Sequence, residues 1–303
     1  MLRAFLLYLS ERSTPRRLLT GLPAARKLPQ RFIAGEALED ALATIRRLNA
    51  DGFDVTLDHL GESVTRPAEA EATCRGYLDV MERLQREGLR ANISVKLTAL
   101  GLALDEGLAR QQVGALVERA GQLQTFVRID MEGSAFTEST LRVFRLVDAP
   151  RDRLGIVIQS YLYRSEQDVD DLLARGARIR LVKGAYKEPP EIAFPKKADV
   201  DANFVKLTEK MLASGIYHAI GTHDAAMVDA TLEFARRRNI GPDKFEFQML
   251  YGVRRRLQRE LLQKGYRVRI YVPYGEQWYP YFMRRLAERP ANVLFLLRNL
   301  VRG

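Results

Sequence analysis

The sequence predicts an α/β protein in which eight parallel strands alternate with eight helices and close into a (βα)8 TIM barrel. Three observations favour this fold. Short apolar segments alternate with helix-like segments eight times, and no Pro/Gly/Ser-rich linker divides the series. No strand leads into a Gly-x-Gly-x-x-Gly turn or a Walker-type loop, the usual fingerprints of the open doubly wound sheet, which is the alternative. The 303 residues, of which 47% are apolar, suffice for one large core.

Each predicted strand is a short apolar run that is followed by a helix-like segment. The fifth is the least ordinary, because Arg180 and Lys183 place two cations in a run that otherwise indicates a buried strand. In chain order the predicted strands are residues 53–57, 91–97, 125–131, 154–161, 179–185, 218–221, 245–250 and 267–272.

The predicted helices combine good helix formers with apolar residues at helical spacing. Pro67 opens one and Gly88 closes it, while Ser165 and Asp168 together resemble a capping box at the start of another. An N-terminal helical arm, residues 1–50, precedes the barrel, residues 51–303, within one structural domain. The helices are residues 37–49, 68–87, 106–123, 138–147, a segment from 165, 201–213, 225–238, 253–263, 278–288 and 292–301.

Charge and composition limit the class of protein. The net charge of +10 divides into +6 for residues 1–31, +9 for residues 252–303 and −5 for the rest. Basic ends suit solvent, an anionic membrane surface or nucleic acid, and nucleic acid is the least favoured because no binding signature occurs. No apolar segment reaches the roughly 18 residues of a membrane-spanning helix. A single cysteine and three histidines without ligand spacing predict a reducing, cytosolic compartment and no metal site.

The residues that close the predicted strands are strongly polar. Active sites of such barrels form at the carboxyl ends of the strands, so these residues are expected to form one ring. A lone polar residue there is usually a cap, but a full ring indicates a site. The ring comprises His59, Glu62, Lys96, Asp130, Glu132, Gln159, Arg180, Lys183, Thr222, His223, Asp224, Gln248, Tyr271 and Tyr274.

Arg180 and Lys183 each require an anionic partner if they are buried. One interpretation is an ion pair with a neighbouring strand. The other is a bound anion, such as a phosphate or a cofactor, lying across the strand end where Gly184 and Ala185 allow close approach.

The helix predicted after the eighth strand carries a second signal. Tyr281, Arg284, Arg285 and Glu288 share one face at i, i+3, i+4 and i+7. An ordinary wall helix would point these arginines into solvent. Turned toward the barrel mouth, two adjacent guanidinium groups would clamp the carboxylate of a small acidic or zwitterionic substrate.

Seven sequence motifs occur in chain order, each at the end of a different predicted strand or in the helix predicted after the eighth strand. The motifs are Val95-Lys-Leu97, Arg128-Ile-Asp-Met-Glu132, Val157-Ile-Gln-Ser-Tyr161, Arg180-Leu-Val-Lys-Gly-Ala-Tyr186, Gly221-Thr-His-Asp224, Phe245-Glu-Phe-Gln-Met-Leu250 and Tyr281-x-x-Arg-Arg285. Together they resemble the motifs of proline dehydrogenase in its single-activity bacterial form, and the resemblance covers most of residues 40–290.

The resemblance implies a distorted barrel whose eighth helix lies above the mouth. It also implies an FAD enzyme that oxidises L-proline to Δ1-pyrroline-5-carboxylate, the first step of proline catabolism, and passes electrons to a membrane quinone. A separate pyrroline-5-carboxylate dehydrogenase would then consume the product, because the second domain of the larger bifunctional members is lacking. The enzyme would be cytoplasmic and peripherally associated with the inner face of the cell membrane.

The resemblance also implies residue roles. Arg180, Asp130 and Lys96 would be the catalytic residues, with Arg180 beside the flavin N5. Glu62 would pair with Arg284 as a gate that closes the site. FAD would contact Gln159, Arg180, Lys183, Gly184, Ala185, Thr222, His223 and Asp224. Proline would contact Lys96, Arg284, Arg285, Tyr186, Leu250, Tyr271 and Tyr281.

Two other functions remain open at this point. A lyase on the same barrel would use Lys96 or Lys183 as a Schiff-base amine, and borohydride would trap its substrate adduct. A basic nucleic-acid-binding protein would bind with steep salt dependence and carry no chromophore.

Overall fold

The computed structural model describes residues 31–61 and 63–288, with side chains as far as residue 283. In this part of the chain eight strands pair in parallel in chain order, and the last pairs with the first, so the sheet closes. The predicted barrel is therefore confirmed. The strands are β1 Asp54–His59, β2 Ala91–Val95, β3 Val127–Ile129, β4 Leu154–Gln159, β5 Arg178–Val182, β6 His218–Gly221, β7 Phe245–Leu250 and β8 Arg267–Tyr274.

The described residues form nine α-helices, one before β1 and one after each strand. Short 3₁₀ turns at Leu97–Leu100 and Ser134–Phe136 follow β2 and β3. The α-helices are α1 Leu38–Ala50, α2 Pro67–Arg86, α3 Glu106–Gln122, α4 Thr137–Leu146, α5 Ser165–Ala174, α6 Lys197–Ala213, α7 Ala225–Arg237, α8 Arg255–Gln263 and α9 Trp278–Glu288.

Helix α1 occupies the place in the barrel wall between β8 and β1. It packs against both strands and buries Ala41, Leu42 and Ile45 completely. The helix after β8 is thereby free for another position, and Tyr281 of α9 lines the cavity at the barrel mouth. Helix α9, which is the eighth helix of the βα series, thus contributes to the mouth, as the resemblance implied.

The apolar core lies between the sheet and the helices, whereas the barrel interior is polar. Leu57, Ile129 and Leu181 are fully or almost fully buried on the helix side of their strands. Arg180 of β5 contacts residues of β2, β3 and β7, and these strands do not neighbour β5, so the contacts cross the interior. Barrels of this type are usually filled by branched apolar side chains. A polar interior indicates that the site extends down into the barrel.

Two local predictions from the sequence were wrong. The predicted capping box is absent: Ser165 Oγ donates to the carbonyl of Leu162, and Asp168 pairs with Arg164. Helix α6 begins at Lys197, four residues earlier than predicted. This earlier start places Lys197 and Asp201 one turn apart at the barrel mouth.

Among the described residues, no helix combines the length and the apolar character needed to cross a membrane. The helix predicted at residues 292–301 lies outside the described residues.

Candidate active site

A cavity of about 570 Å³ opens at the carboxyl end of the barrel. Every strand supplies at least one lining residue, either from its carboxyl-terminal half or from the position directly after it. Helix α9 also contributes Tyr281. The polar ring predicted from the sequence is therefore largely assembled at a single cavity. Its polar lining includes Asp58, Lys96, Asp130, Gln159, Arg180, Lys183, Thr222, His223, Asp224, Gln248, Tyr271 and Tyr281.

Arg180 lies at the centre of the cavity floor and is only 5% exposed. Its Nη1 donates to Asp130 Oδ1 at 2.7 Å and to Ser94 Oγ at 3.2 Å, and its Nε donates to Gln248 Oε1. The guanidinium also lies over the Tyr271 ring, with Cζ 5.3 Å from the ring centre. Arg180 is thus paired with a carboxylate as one interpretation of the sequence proposed, although the partner comes from across the barrel rather than from an adjacent strand.

Asp130 is held from three sides. Besides Arg180, Ser94 Oγ donates to its Oδ1 at 2.6 Å and Tyr271 OH donates to its Oδ2 at 2.6 Å. Burial, followed by the negative charge of Asp130, raises the pKa of Tyr271 well above its ordinary value. Tyr271 therefore remains a protonated hydrogen-bond donor at neutral pH.

Among the described residues of the cavity lining, three carry a buried polar atom with no partner. One is Asp58, through Oδ2. The other two are Arg180, through the donor Nη2, and Gln159, through the acceptor Oε1. Gln159 is fixed by its other atom, because Nε2 donates to the carbonyls of Met131 and Glu132 at 2.9 and 3.2 Å. Unsatisfied buried polar atoms are costly. Arg180 and Gln159 both line the cavity, so a ligand with an acceptor and a donor would satisfy them.

Lys96 forms a second buried ion pair in the cavity wall, with Nζ 2.8 Å from Asp58 Oδ1. Burial raises the pKa of Asp58, and the charge of Lys96 opposes this shift. Lys96 is buried, with 8% of its surface exposed, and it lines the cavity, so its side chain borders the space that a ligand would occupy.

Lys183 belongs to a cation–carboxylate cluster at the rim. Its Nζ lies 2.5 Å from Asp201 Oδ1 and 2.8 Å from Asp224 Oδ2, and Lys197 contacts the same two carboxylates. The hydrogen bond from Lys183 lowers the pKa of Asp224. Asp224 also caps α7 by accepting from Ala226 N at 3.2 Å. Two lysines and two helix starts therefore meet at the rim.

The chain bends after β5 and brings Lys183 to the same cavity as Arg180. Gly184 has φ +112°, a conformation that favours glycine. A Cβ at this position would lie 2.5 Å from the Tyr161 ring. The close approach predicted at Gly184 is thus made by a tyrosine of the protein.

The remaining predicted pocket residues also reach the cavity. Leu250 lines it, and its backbone N donates to His223 Nε2 at 2.8 Å. This bond fixes the ring of His223 between β6 and β7. The other predicted residues at the cavity are Tyr186, Gly184, Ala185 and Thr222.

The predicted arginine clamp and gate lie outside the described side chains. Arg284 and Arg285 lie within α9, beyond the last described side chain, and Glu62 lies outside the described residues. Tyr281, on the same predicted face, is buried and lines the cavity. Of the four residues on this predicted face, Tyr281 is the one with a described side chain, and it lies at the barrel mouth.

Several residues at the site were not assigned a role from the sequence. Asp58 of β1 and Ser94 of β2 point into the barrel. Since residues two apart in a strand share a face, strand alternation could have indicated that they lie at the site. Lys197, Asp201 and Arg254 reach the mouth from loops and helix starts, and only the fold brings them there.

The fold and the cavity define a (βα)8 barrel of the enzyme type, whose mouth brings a buried guanidinium and three lysines to one cavity. The sequence profile described as proline dehydrogenase matches residues 41–298. The chain belongs to the proline dehydrogenase family, and the resemblance seen in the motifs is confirmed.

Curated relatives cover almost the whole chain. It is 42% identical over 272 residues to proline dehydrogenase 2 of Bacillus subtilis, which covers 90% of each protein. It is 39% identical over 281 residues to the proline dehydrogenase of Deinococcus radiodurans, covering 91% of each. The bifunctional protein PutA of Escherichia coli is 30% identical in an alignment of 323 positions, gaps included, which covers 91% of this chain and 24% of PutA.

A solved structure agrees with the fold. The chain superimposes on proline utilization A of Bdellovibrio bacteriovorus inactivated by N-propargylglycine with a TM-score of 0.82 and 27% identity. The match covers 87% of this chain and 33% of that one. This chain thus spans about a third of the larger protein.

Proposed function

We propose that this chain oxidises L-proline to Δ1-pyrroline-5-carboxylate and uses FAD held in the cavity as the hydride acceptor. The family membership supports the substrate. In this reaction proline loses a hydride from C5 and a proton from its nitrogen, and the C5–N bond becomes a double bond. Bound FAD would supply the two-electron chemistry, while the protein supplies orientation and charge.

The observation that carries the proposal is the pair of unsatisfied atoms on the cavity floor, Arg180 Nη2 and Gln159 Oε1. The edge of an isoalloxazine ring presents acceptors beside an N–H donor, which matches a free guanidinium N–H beside a free amide oxygen. The site residues therefore suit a flavin. Arg180 would stabilise negative charge that develops when the flavin is reduced, because a preorganised buried donor acts strongly in a low dielectric.

The rim cluster supports a dinucleotide rather than a bare flavin ring. Lys183 and Lys197 supply two cations beside the start of α7, where they pair with Asp201 and the capping residue Asp224. Pyrophosphate favours cations and helix N-termini, and it would share the two lysines with these carboxylates. With Thr222, His223, Gly184 and Ala185, the two lysines would hold the phosphate and adenosine portion.

The opposite wall would bind proline. Lys96 and the two arginines of α9 would hold its carboxylate, and the rings of Tyr186, Tyr271 and Tyr281 with Leu250 would enclose the pyrrolidine. Fixing the carboxylate at one end places C5 at the other, which lowers the barrier by proximity. Asp130 would keep Arg180 and Tyr271 in register beside the substrate.

The ion pair of Lys96 disfavours the lyase alternative. A Schiff-base lysine must be a neutral amine, and Lys96 Nζ donates to the buried carboxylate of Asp58 at 2.8 Å, which favours the ammonium form. Lys183 Nζ contacts the carboxylates of Asp201 and Asp224, and these contacts compete with a substrate carbonyl for the amine.

We further propose a membrane quinone as the electron acceptor. The chain would meet an anionic lipid surface through its basic ends, residues 1–31 and 252–303, whose net charges are +6 and +9. A separate dehydrogenase would oxidise the released pyrroline-5-carboxylate. Sedimentation with vesicles should then depend on anionic lipid, and equal binding to neutral vesicles would contradict the membrane part of the proposal.

The experiment that tests the proposal identifies the cofactor and the turnover together. The purified protein should be yellow, should release FAD on heating, and should turn over L-proline with a soluble quinone faster than with oxygen. Purified protein that carries FMN or no flavin, or that does not oxidise L-proline, would contradict the proposed function.

A further inference from the structure

A chain of hydrogen bonds runs down the barrel interior from the cavity to the opposite end. Arg180 Nε donates to Gln248 Oε1, and Gln248 Nε2 donates to Glu246 Oε1. Glu246 in turn accepts from Arg269 Nε at 2.8 Å. Arg180, Gln248 and Glu246 are all at least 95% buried, so an unpaired polar atom at any of these links would be costly.

The middle residue has only one orientation that satisfies both neighbours. A carboxylate accepts hydrogen bonds and a guanidinium only donates them. The amide of Gln248 must therefore turn its NH₂ toward Glu246 and its oxygen toward Arg180. If the amide were reversed, two donors would face each other at Arg180 and two acceptors would face each other at Glu246. The charge of Glu246 thus selects the amide orientation that Arg180 needs.

Glu246 is itself fixed at the floor of the barrel. Its Oε2 accepts from Tyr217 OH at 3.1 Å, and Arg269 is held by the Val55 carbonyl at 2.9 Å and by Asp54. Burial alone would raise the pKa of Glu246, but the charge of Arg269 and its hydrogen bonds lower it to about 2. The carboxylate is therefore charged throughout the neutral range.

Two anchors define the plane of the Arg180 guanidinium. Asp130 and Ser94 hold Nη1, and Gln248 holds Nε on the other side. With both in place, Nη2 is the remaining nitrogen and faces a fixed direction. With one anchor lost, the group can rotate about the other.

We propose that Glu246, acting through Gln248, is a positioning residue that orients Arg180 Nη2 toward the flavin. This inference rests on the proposed function, because it assumes that the ligand of Arg180 is the cofactor. Glu246 does not line the cavity, and its role is therefore distinct from direct binding.

The test is Glu246→Gln. The neutral amide can donate as well as accept, so it no longer selects one orientation of Gln248, while Arg269 keeps Asp54 and the Val55 carbonyl. We expect kcat to fall roughly 10- to 100-fold, as when outer partners of active groups are removed, with little change in KM for proline. The reduction potential of the bound flavin should also fall, because the reduced form loses an aligned cation.

A purely structural role is separated by two comparisons. Asp168→Asn removes another buried carboxylate that pairs with an arginine, Arg164, and should lower the melting temperature without changing kcat or the flavin potential. In an Arg180→Lys background no guanidinium plane remains to be oriented. There Glu246→Gln should lower the melting temperature again but leave kcat unchanged.

An unaltered kcat and potential in Glu246→Gln, or an equal loss of kcat in the Arg180→Lys background, would overturn the proposal. If Glu246→Gln does not fold, Gln248→Met removes the middle link and leaves the Glu246–Arg269 pair in place. It should show the same dependence on Arg180, and a normal kcat would overturn the proposal. If the wild-type protein carries no FAD or does not turn over proline, the proposed function is contradicted. That outcome is distinguishable from a failure of the positioning role alone, in which the wild type is active and the variants behave otherwise than expected.

Discussion

Arg180 and Asp130 form an ion pair across the barrel interior, with Nη1 and Oδ1 2.7 Å apart and both side chains largely buried. The pair joins β5 to the residue that follows β3, at the cavity floor. A buried pair adds little net stability compared with apolar residues, but loss of one partner leaves an uncompensated charge.

We therefore expect Asp130→Ala to destabilise the fold by about 3–5 kcal/mol, as measured by urea denaturation. Glu260→Ala is the matched control, because Glu260 pairs with the 93% exposed Arg256 and should cost at most about 1 kcal/mol. Combining Asp130→Ala with Arg180→Met should destabilise less than the sum of the two. Equal effects of Asp130→Ala and Glu260→Ala would contradict the buried-pair account.

The predicted clamp of α9 is tested by Arg285→Lys. A lysine keeps the charge but lacks the planar fork that matches a carboxylate, so proline binding should weaken about tenfold while the flavin stays bound. The measurement is the KM for proline in steady-state turnover, with the bound flavin followed by its visible absorbance. Arg256→Lys, in the exposed pair of α8, should leave KM unchanged, and an unchanged KM in Arg285→Lys would show that the clamp is wrongly assigned.

The turn at Gly184 gives a prediction on stability. Gly184→Ala introduces a Cβ at φ +112°, 2.5 Å from the Tyr161 ring, so strain and steric conflict should lower the melting temperature and weaken FAD binding. Gly114→Ala lies in α3 with no atom within 4 Å of the added Cβ and should stabilise by about 0.5–1 kcal/mol. If both variants had the same effect on melting, the turn would not require glycine.

His218 predicts part of the pH dependence of stability. Burial, aided by Arg128 and Arg178, lowers its pKa to about 3 in the folded protein, and its Nδ1 accepts from Ile179 N at 3.1 Å. The unfolded chain has the ordinary histidine pKa of about 6.5. As the pH falls below about 6.5, the unfolded state takes up a proton that the folded state refuses, so stability decreases by up to about 1.4 kcal/mol per pH unit until about pH 3.

Replacement of His218 by Asn, which keeps an acceptor near Nδ1, should flatten this dependence between pH 6 and pH 4.5. Glu246, with its lowered pKa, adds a loss in the same direction only below about pH 4.5. Burial also lowers the pKa of His59, so the difference between wild type and variant is the quantity to compare. An unchanged slope in the variant would contradict the assignment.

The barrel was predictable from the sequence because strand and helix periodicity repeat eight times, and most element boundaries fall within a few residues of those predicted. The exceptions were decided by tertiary contacts. Asp168 pairs with Arg164 instead of forming the predicted capping box, and α6 begins at Lys197, four residues before the predicted start. Neither choice has a signal in local propensity.

The site was predictable where a residue ends a strand, because parallel strands bring their carboxyl ends together. Arg180, Gln159 and Tyr271 could be placed by this rule alone. The hydrogen bonds that fix them could not, because Gln248, Glu246 and Arg269 meet only when β7 and β8 are paired. The polarity of the barrel interior was indicated in β5, where Arg180 interrupts a run typical of a buried strand, but the inward residues of the other strands gave no comparable signal.

The central claim is that the cavity holds a flavin that L-proline reduces directly. The most direct measurement is an anaerobic titration of the purified protein with L-proline, followed by its visible spectrum. The account predicts loss of the yellow flavin absorbance, with one pyrroline-5-carboxylate formed per flavin. An unchanged spectrum, with a borohydride-trapped adduct on Lys96, would contradict it and favour a Schiff-base enzyme.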